Sequence, residues 1–256
     1  MIEKFNITKV TEGKKEIVED FIVKEIPLTI NVNKKELATL LCSPNDLEVL
    51  AKGFLFTSGL IKGGGDIKSI YTDTQKWTCD IELAQDLDTN LISKRLYTSG
   101  CGKGTIFYSS VDLMYKRKLI SDLKIKASQI PPLMLDFYKK SEVFLKTGGV
   151  HSAALGLGDN IVIFKEDIGR HNAVDKVIGQ ALNDNIKLED KFLITSGRIS
   201  SEVVFKARKT NIAIVISRGA PTNQAVRHGR SMDITIIGFA RGNKLNIYSG
   251  VERIIV

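Results

Sequence analysis

Residues 211–219 read NIAIVISRG and residues 234–242 read ITIIGFARG. Their centres, IAIVI and ITIIG, carry β-branched residues at successive positions, so both faces of an extended segment would be apolar. That is the pattern of a strand covered by helices on each side. Further short apolar runs lie at VHSAALGL (150–157), NIVIFK (160–165) and KFLITSG (191–197). Around them the spacing predicts helices over 109–117, 131–146, 171–182, 200–209 and 221–230, with Pro131 and Pro132 early in the second and Gly148 and Gly149 closing it. Helices and strands in alternation predict a three-layer α/β/α domain.

Upstream the pattern differs. PLTINVN (27–33) and LATLL (37–41) alternate like two strands about Asn33, Lys34 and Lys35. A helix then follows, with Ser43 as N-cap, Pro44 in the first helical position and Asp46 as the capping-box acid. Leu47, Leu50, Ala51, Phe54 and Leu55 form its apolar face and Gly59 closes it. IKSIYTD (67–73), KWTCDIELA (76–84) and KRLYT (94–98) read as strands. The expected division is a smaller α+β domain over 1–97 and the α/β/α domain over 98–256, with the polar first 24 residues forming an extra strand or a loose arm.

The 256 residues are 43% hydrophobic and 26% charged, a balance that excludes a disordered or collagen-like chain. No window approaches the ~18 apolar residues of a membrane span, and the first residues place charges where a signal peptide is apolar, so a cytoplasmic protein without membrane association is expected. Residues 1–100 hold 13 lysines and arginines against 15 acidic residues, a net of −2, whereas residues 101–256 hold 24 against 14, a net of +10. The basic half would attract anions. Aromatic residues are only 7% and do not interleave with basic ones, so no nucleic acid is expected as partner.

Three strand ends in the basic half carry small or cationic loops: TSGR (195–198), SRGAPT (217–222) and FARGNK (239–244). Glycine lets backbone approach an oxyanion, hydroxyls donate hydrogen bonds, and arginine supplies a planar fork for phosphate. Ser196, Arg198, Arg218, Arg241 and Lys244 are therefore candidate anion contacts. His171, beside Gly169 and Arg170 where a helix should begin, would meet a phosphate or base there, or else it or Asn172 caps the helix. His151 reads as a buried histidine, His228 as part of a solvated basic face, and Glu166 and Asp167 as a working carboxylate pair or, by the simpler reading, as exposed or paired with Arg170.

Cys42, Cys79 and Cys101 are too few for a disulfide framework or a four-thiolate zinc site. Cys101 stands in the loop Thr98, Ser99, Gly100, Cys101, Gly102, Lys103, Gly104. Flanking glycines leave the thiol uncrowded and Lys103 favours the thiolate, which suits a nucleophile; the loop by itself is equally consistent with an incidental turn cysteine. The H-x-E and P-C-x-x-C signatures of zinc deaminases are absent, and no protein-ligated metal is expected.

TSGCGKG (98–104), KTGGVHSAAL (146–155), EDIGRHNAVDKVIGQAL (166–182), TSGRISSEVVFKA (195–207), RGAPTNQAV (218–226) and GFARGNKLNIYSG (238–250), in this order, closely resemble the FdhD/NarQ family of formate dehydrogenase accessory sulfurtransferases. The resemblance implies a sulfur carrier that accepts a persulfide from a cysteine desulfurase and passes the sulfur to the molybdenum (or tungsten) bis(molybdopterin guanine dinucleotide) cofactor before it enters formate dehydrogenase. It implies a larger domain resembling cytidine deaminases and a homodimer. The family's loop reads C-G-x-C-G, and its first cysteine corresponds to Cys101; its cofactor-binding segment corresponds to Phe239, Ala240, Arg241, Gly242, Asn243 and Lys244. This chain departs from the family at Gly104, where the second loop cysteine would stand. One thiolate suffices to accept and deliver sulfur. The departure leaves a rival expectation, a non-catalytic chaperone that binds the guanine dinucleotide cofactor without carrying sulfur.

Overall fold

A computed structural model describes residues 1–85, 95–97, 105–107 and 118–256. Cys101 and the helix expected over 109–117 lie outside the described residues. The first 24 residues form a hairpin, in which β1 (Ile2–Thr11) pairs antiparallel with β2 (Lys14–Val23). Its two-residue turn, Glu12 and Gly13, has φ of 51° and 79°, the left-handed pair that matches strand twist.

A second hairpin joins β3 (Ile26–Val32) to β4 (Lys35–Cys42), and its turn uses Asn33 and Lys34 at φ 47° and 65°. The helix α1 (Leu47–Thr57) follows. With β5 (Ile67–Asp73) and β6 (Thr78–Leu83), the strands make a four-stranded sheet in the order β4-β3-β6-β5. Leu28 and Ile30 of the sheet and Leu50 and Leu55 of α1 are fully buried against one another. The helix begins later than the residues suggest. Asp46 sits at φ 54°, outside capping geometry, and Ser43 is engaged elsewhere: its hydroxyl accepts from Ile168 N–H (3.1 Å) and its own N–H donates to Asp167 Oδ2 (3.0 Å). A long-range partner has displaced the local capping box.

The strands β7 (Arg95–Tyr97) and β8 (Thr105–Phe107) pair antiparallel on either side of residues 98–104. Next come β9 (Ile125–Lys126), α2 (Ile130–Lys140), α3 (Glu142–Thr147), β10 (His151–Leu157), β11 (Asn160–Asp167), α4 (Arg170–Asn183), β12 (Phe192–Thr195), α5 (Ser201–Lys209), β13 (Ile214–Ser217), α6 (Asn223–Met232), β14 (Thr235–Arg241), β15 (Lys244–Ser249) and β16 (Ile254–Ile255). The expected single helix over 131–146 is two. Ser141 breaks it because its hydroxyl bonds the Phe137 carbonyl (3.0 Å) and Ser152 Oγ (2.9 Å), while Glu166 accepts from Val143 N–H (3.1 Å) and Phe144 N–H (3.0 Å) to start α3. Glu166 is thus buried as a cap and not exposed, and Asp167 is buried as well.

The large sheet runs β11-β10-β12-β13-β14-β15, with β12, β13 and β14 mutually parallel. Alternate residues of the same strands enter two cores. Leu155, Leu193, Val215 and Ile236 pack under α4, α5 and α6, while Ala154, Ile194, Ile214, Ile216 and Ile237 pack against Leu133, Met134 and Phe137 of α2. The doubly apolar runs are therefore strands covered on both faces. β15, where no strand is predicted, adds an antiparallel edge after a turn at Gly242 (φ 53°).

The two sheets are joined through α1 and α4. A Cβ on Gly53 would lie 1.8 Å from the Asp175 carbonyl oxygen and one on Gly179 1.9 Å from that of Val49, so the helix backbones touch directly. Thr57 Oγ1 donates to Asp175 Oδ1 (2.7 Å) across the same seam. Among the described residues, no helix is long and apolar enough to cross a membrane.

Candidate functional site

Because β12, β13 and β14 are parallel neighbours, their carboxyl ends lie side by side, the place where open α/β sheets bind ligands. The loops that leave them are tied to one another. Ser217 Oγ donates to the Gly197 carbonyl (2.6 Å) and accepts from Gly219 N–H (2.8 Å). The Gly219 carbonyl accepts from Phe239 N–H (3.0 Å), and Arg241 Nε donates to the Arg218 carbonyl (3.0 Å). Gly219 suits this closeness, since a Cβ there would stand a tight 3.0 Å from the Gly197 carbonyl oxygen. Phe239 adopts φ 51° at an irregularity in the β14–β15 ladder, and its ring is half exposed beside the Arg241 guanidinium, 5.8 Å from ring centroid to Cζ.

Against these loops opens a cleft of about 1130 Å³. Of the predicted contacts, Ser196, Arg218, Ala240, Arg241, Gly242 and Asn243 line it. Phe239, Lys244, Arg198 and His171 are not among its lining residues. Arg198 and Lys244 are exposed, and His171 is mostly buried, its ring nitrogens shielded from solvent and Nε2 3.2 Å from Glu202 Oε2, out of hydrogen-bond alignment. Burial, together with the charges of Lys206 and Arg170, holds the His171 pKa well below the usual range, so the ring is neutral. It does not cap α4, whose N-cap is Gly169; the Asn172 amide bonds the Leu41 carbonyl (2.8 Å) and Asp167 Oδ1 (2.9 Å) instead.

The opposite wall is missing from the sequence reading. Pro131, Met134, Leu135 and Tyr138 of α2, with Phe144 of α3, give an apolar and aromatic surface facing the two arginines. Arg218 Cζ stands 5.4 Å from the Tyr138 ring centroid, and Phe144 meets Tyr138 edge-on at 6.4 Å. The spacing of Leu135 and Tyr138 on one exposed stripe of α2 is the signal that could have found it. His151, expected to be buried structure, lines the cleft as well, with Nδ1 3.2 Å from Ser196 Oγ; Ser152 N–H donates to the same oxygen (3.0 Å). Desolvation, then Arg170, lowers the His151 pKa. A cationic wall facing an aromatic one can hold a planar base and an attached phosphate at once.

Cys42 and Cys79 are buried, and burial pushes their thiols up to about 12 and about 11, which removes both as nucleophiles at neutral pH. Among the described residues no group of three or more His, Cys, Asp or Glu side chains could hold a metal ion.

Residues 23–255 match the model of the FdhD/NarQ family. A protein of Listeria innocua named sulfur carrier protein FdhD is 39% identical over 258 residues, covering 99% of each chain. A Staphylococcus aureus protein of the same name is 40% identical over 251 residues, 97% of this chain and 95% of that one. A crystal structure from Desulfotalea psychrophila, described as a candidate formate dehydrogenase accessory protein, superposes with a TM-score of 0.81 over 99% of both chains at 22% identity.

Proposed function

The chain belongs to the FdhD/NarQ family, and on that premise we propose that it is a cytoplasmic sulfur carrier serving formate dehydrogenase, with persulfide chemistry at Cys101 and cofactor binding in the strand-end cleft. In the loading step the Cys101 thiolate attacks the outer sulfur of a cysteine desulfurase persulfide. The donor's S–S bond breaks, its thiolate leaves, and the outer sulfur is now bonded to Cys101 with no net change in oxidation state. The acceptor is the molybdenum or tungsten bis(molybdopterin guanine dinucleotide) cofactor, whose two-electron reduction of the sulfane sulfur, or that of an external thiol, regenerates the free Cys101.

The observation that carries the binding half is the convergence of Arg218, Arg241 and Tyr138 in the lining of one cleft, with the Arg218 guanidinium against the Tyr138 ring. Phosphate charge suits the arginines, and a guanine ring suits the tyrosine face. Ser196 and the backbone of Gly242 supply further donors. Phe239, Lys244, Arg198 and His171, outside the cleft lining, would support its loops or meet the distal part of a cofactor with two nucleotide tails. This division assigns sulfur binding and cofactor binding to a deaminase-like domain over 98–256, braced by the smaller one over 1–97. Gly104, in place of a second loop cysteine, favours a competing reading as a cofactor chaperone without sulfur.

Calorimetry with GDP and a sulfur-loading assay with labelled cysteine and a desulfurase test both halves together. The sulfur carrier binds GDP and gains label; a chaperone binds GDP and gains none; a chain that does neither refutes the function altogether.

A further inference from the structure

The first turns of α4 and α5 meet in the interior, and the polar groups gathered there do not satisfy one another. His171 stands in the first turn of α4 and Glu202 in that of α5, with only 13% and 12% of their side chains exposed. His171 Nε2 and Glu202 Oε2 lie 3.2 Å apart, yet neither makes a hydrogen bond, nor does the other ring nitrogen, Nδ1. Ser200, the N-cap of α5, is 5% exposed; its hydroxyl does not cap the helix and has no partner. Four buried polar atoms on three residues are thus unsatisfied at one place, whereas a native interior leaves only a few per hundred residues. The surroundings are positive. Asp175 is taken up by Lys206, which reaches both its oxygens at 2.6 Å, and by Thr57 Oγ1. Lys206 Nζ also stands 3.7 Å from Glu202 Oε1, and Arg170 opens α4. Two helix N-termini add partial positive charge. After burial, the charges of Lys206, Arg170 and His151 hold the His171 pKa down, and burial raises that of Glu202, whose carboxyl therefore takes up a proton more readily than an exposed one.

We propose that the starts of α4 and α5 bind a small monovalent anion, held by the Ser200 hydroxyl, the His171 imidazole and the Glu202 carboxyl in its protonated form. Each of these three groups can donate to one common acceptor, and a positive field favours an anion over water as that acceptor. A guest that touches two atoms 3.2 Å apart sits over their midpoint, which suits a single heavy atom rather than a branched oxyanion. Chloride and hydrosulfide share this size and charge. The site is separate from the cleft, since none of the three residues lines it. It adjoins the cleft nonetheless: Arg170, next to His171, lies under the Ser196–Gly197 loop, where a Cβ on Gly197 would stand 3.0 Å from its side-chain carbons. Binding requires Glu202 to keep its proton, so the anion enters together with a proton and its affinity rises as pH falls.

Bromide is the probe. Replacing gluconate by bromide at constant ionic strength should raise the thermal unfolding midpoint of the full chain saturably, with a half-saturating concentration that falls between pH 8 and pH 5. Crystals soaked in bromide should give an anomalous peak within about 3.5 Å of Ser200 Oγ and His171 Nε2. Glu202→Gln carries its donor at every pH, so at pH 8 it should bind bromide at least about fivefold more tightly than the parent and depend less on pH. Ser200→Ala should weaken binding about fivefold or more. Whichever of chloride and hydrosulfide displaces bromide at the lower concentration is the natural occupant. No saturable stabilisation by bromide, an ordered water without anomalous signal at the site, or a Glu202→Gln variant that binds no more tightly than the parent at pH 8 overturns the proposal. The crystals and Glu202→Gln decide if Ser200→Ala does not fold.

Discussion

Lys176 Nζ and Asp167 Oδ2 meet at 2.7 Å with neither side chain exposed to solvent at all. Asp167 also accepts from the backbone N–H groups of Ser43 (3.0 Å) and Gly169 (2.8 Å), and Lys176 reaches Asn45 Oδ1 (3.1 Å). One buried ion pair therefore ties the loop before α1 to the loop before α4, and with it the four-stranded sheet to the six-stranded one. Taking two charges out of water is costly, and the surrounding hydrogen bonds offset much of that cost.

Breaking the pair on one side leaves an uncompensated buried charge. Lys176→Met is expected to destabilise the protein by about 3–5 kcal/mol, and adding Asp167→Asn should recover part of the loss. Urea denaturation of the single and double variants measures both.

The α1–α4 contact is just as sensitive, through sterics. Gly53→Ala or Gly179→Ala forces a methyl group into backbone at under 2 Å, so the helices must part, at a cost of about 3 kcal/mol or more. Gly63→Ala, where nothing lies within 4 Å of the added Cβ, should stay within about 0.5 kcal/mol of the parent. Equal effects at these sites would refute the close crossing.

Stability should also depend on the His171 ring. Its folded pKa is depressed below the ordinary 6.5, so as pH falls through 6.5 the unfolded chain takes up a proton that the folded one refuses, and stability drops. Glu202, 3.2 Å away, is pushed up from 4.5 mainly by burial and acts in the opposite sense: above 4.5 the unfolded chain loses its proton first, so this group contributes more stability as pH falls toward that value. Comparing denaturation of His171→Gln with the parent between pH 5 and 7 separates them. The parent should lose more stability than the variant over that fall; parallel curves would contradict a neutral buried ring.

Residues lining the cleft should matter for nucleotide binding more than those outside it. Arg241→Ala and Tyr138→Ala should each weaken GDP binding by about tenfold or more, whereas Arg198→Ala should change it by less than about threefold. Calorimetry on the three variants checks the assignment.

How much was legible in the residues follows from the range of the forces involved. IAIVI and ITIIG name their own environment, because a strand covered on both faces must be apolar at successive positions. The Asn33–Lys34 turn is legible for a similar local reason. Ser43 misleads because its partner Asp167 lies far along the chain, where a local capping rule cannot see it. In the cleft, glycine and arginine mark the strand-end wall, but the α2 wall is assembled from Met134, Leu135 and Tyr138, which read only as part of a predicted helix until the sheet faces them. His171 reads equally as a ligand contact or a helix cap and is instead packed against Glu202, a residue of another helix.

The central claim is that sulfur travels on Cys101. Mass spectrometry of the chain after incubation with a cysteine desulfurase and cysteine tests it most directly, with the buried Cys42 and Cys79 as internal controls. The account predicts one added sulfur atom on the peptide containing Cys101, none on those containing Cys42 or Cys79, and complete loss of loading in Cys101→Ala. Sulfur retained by Cys101→Ala, or none on the parent chain, would contradict it.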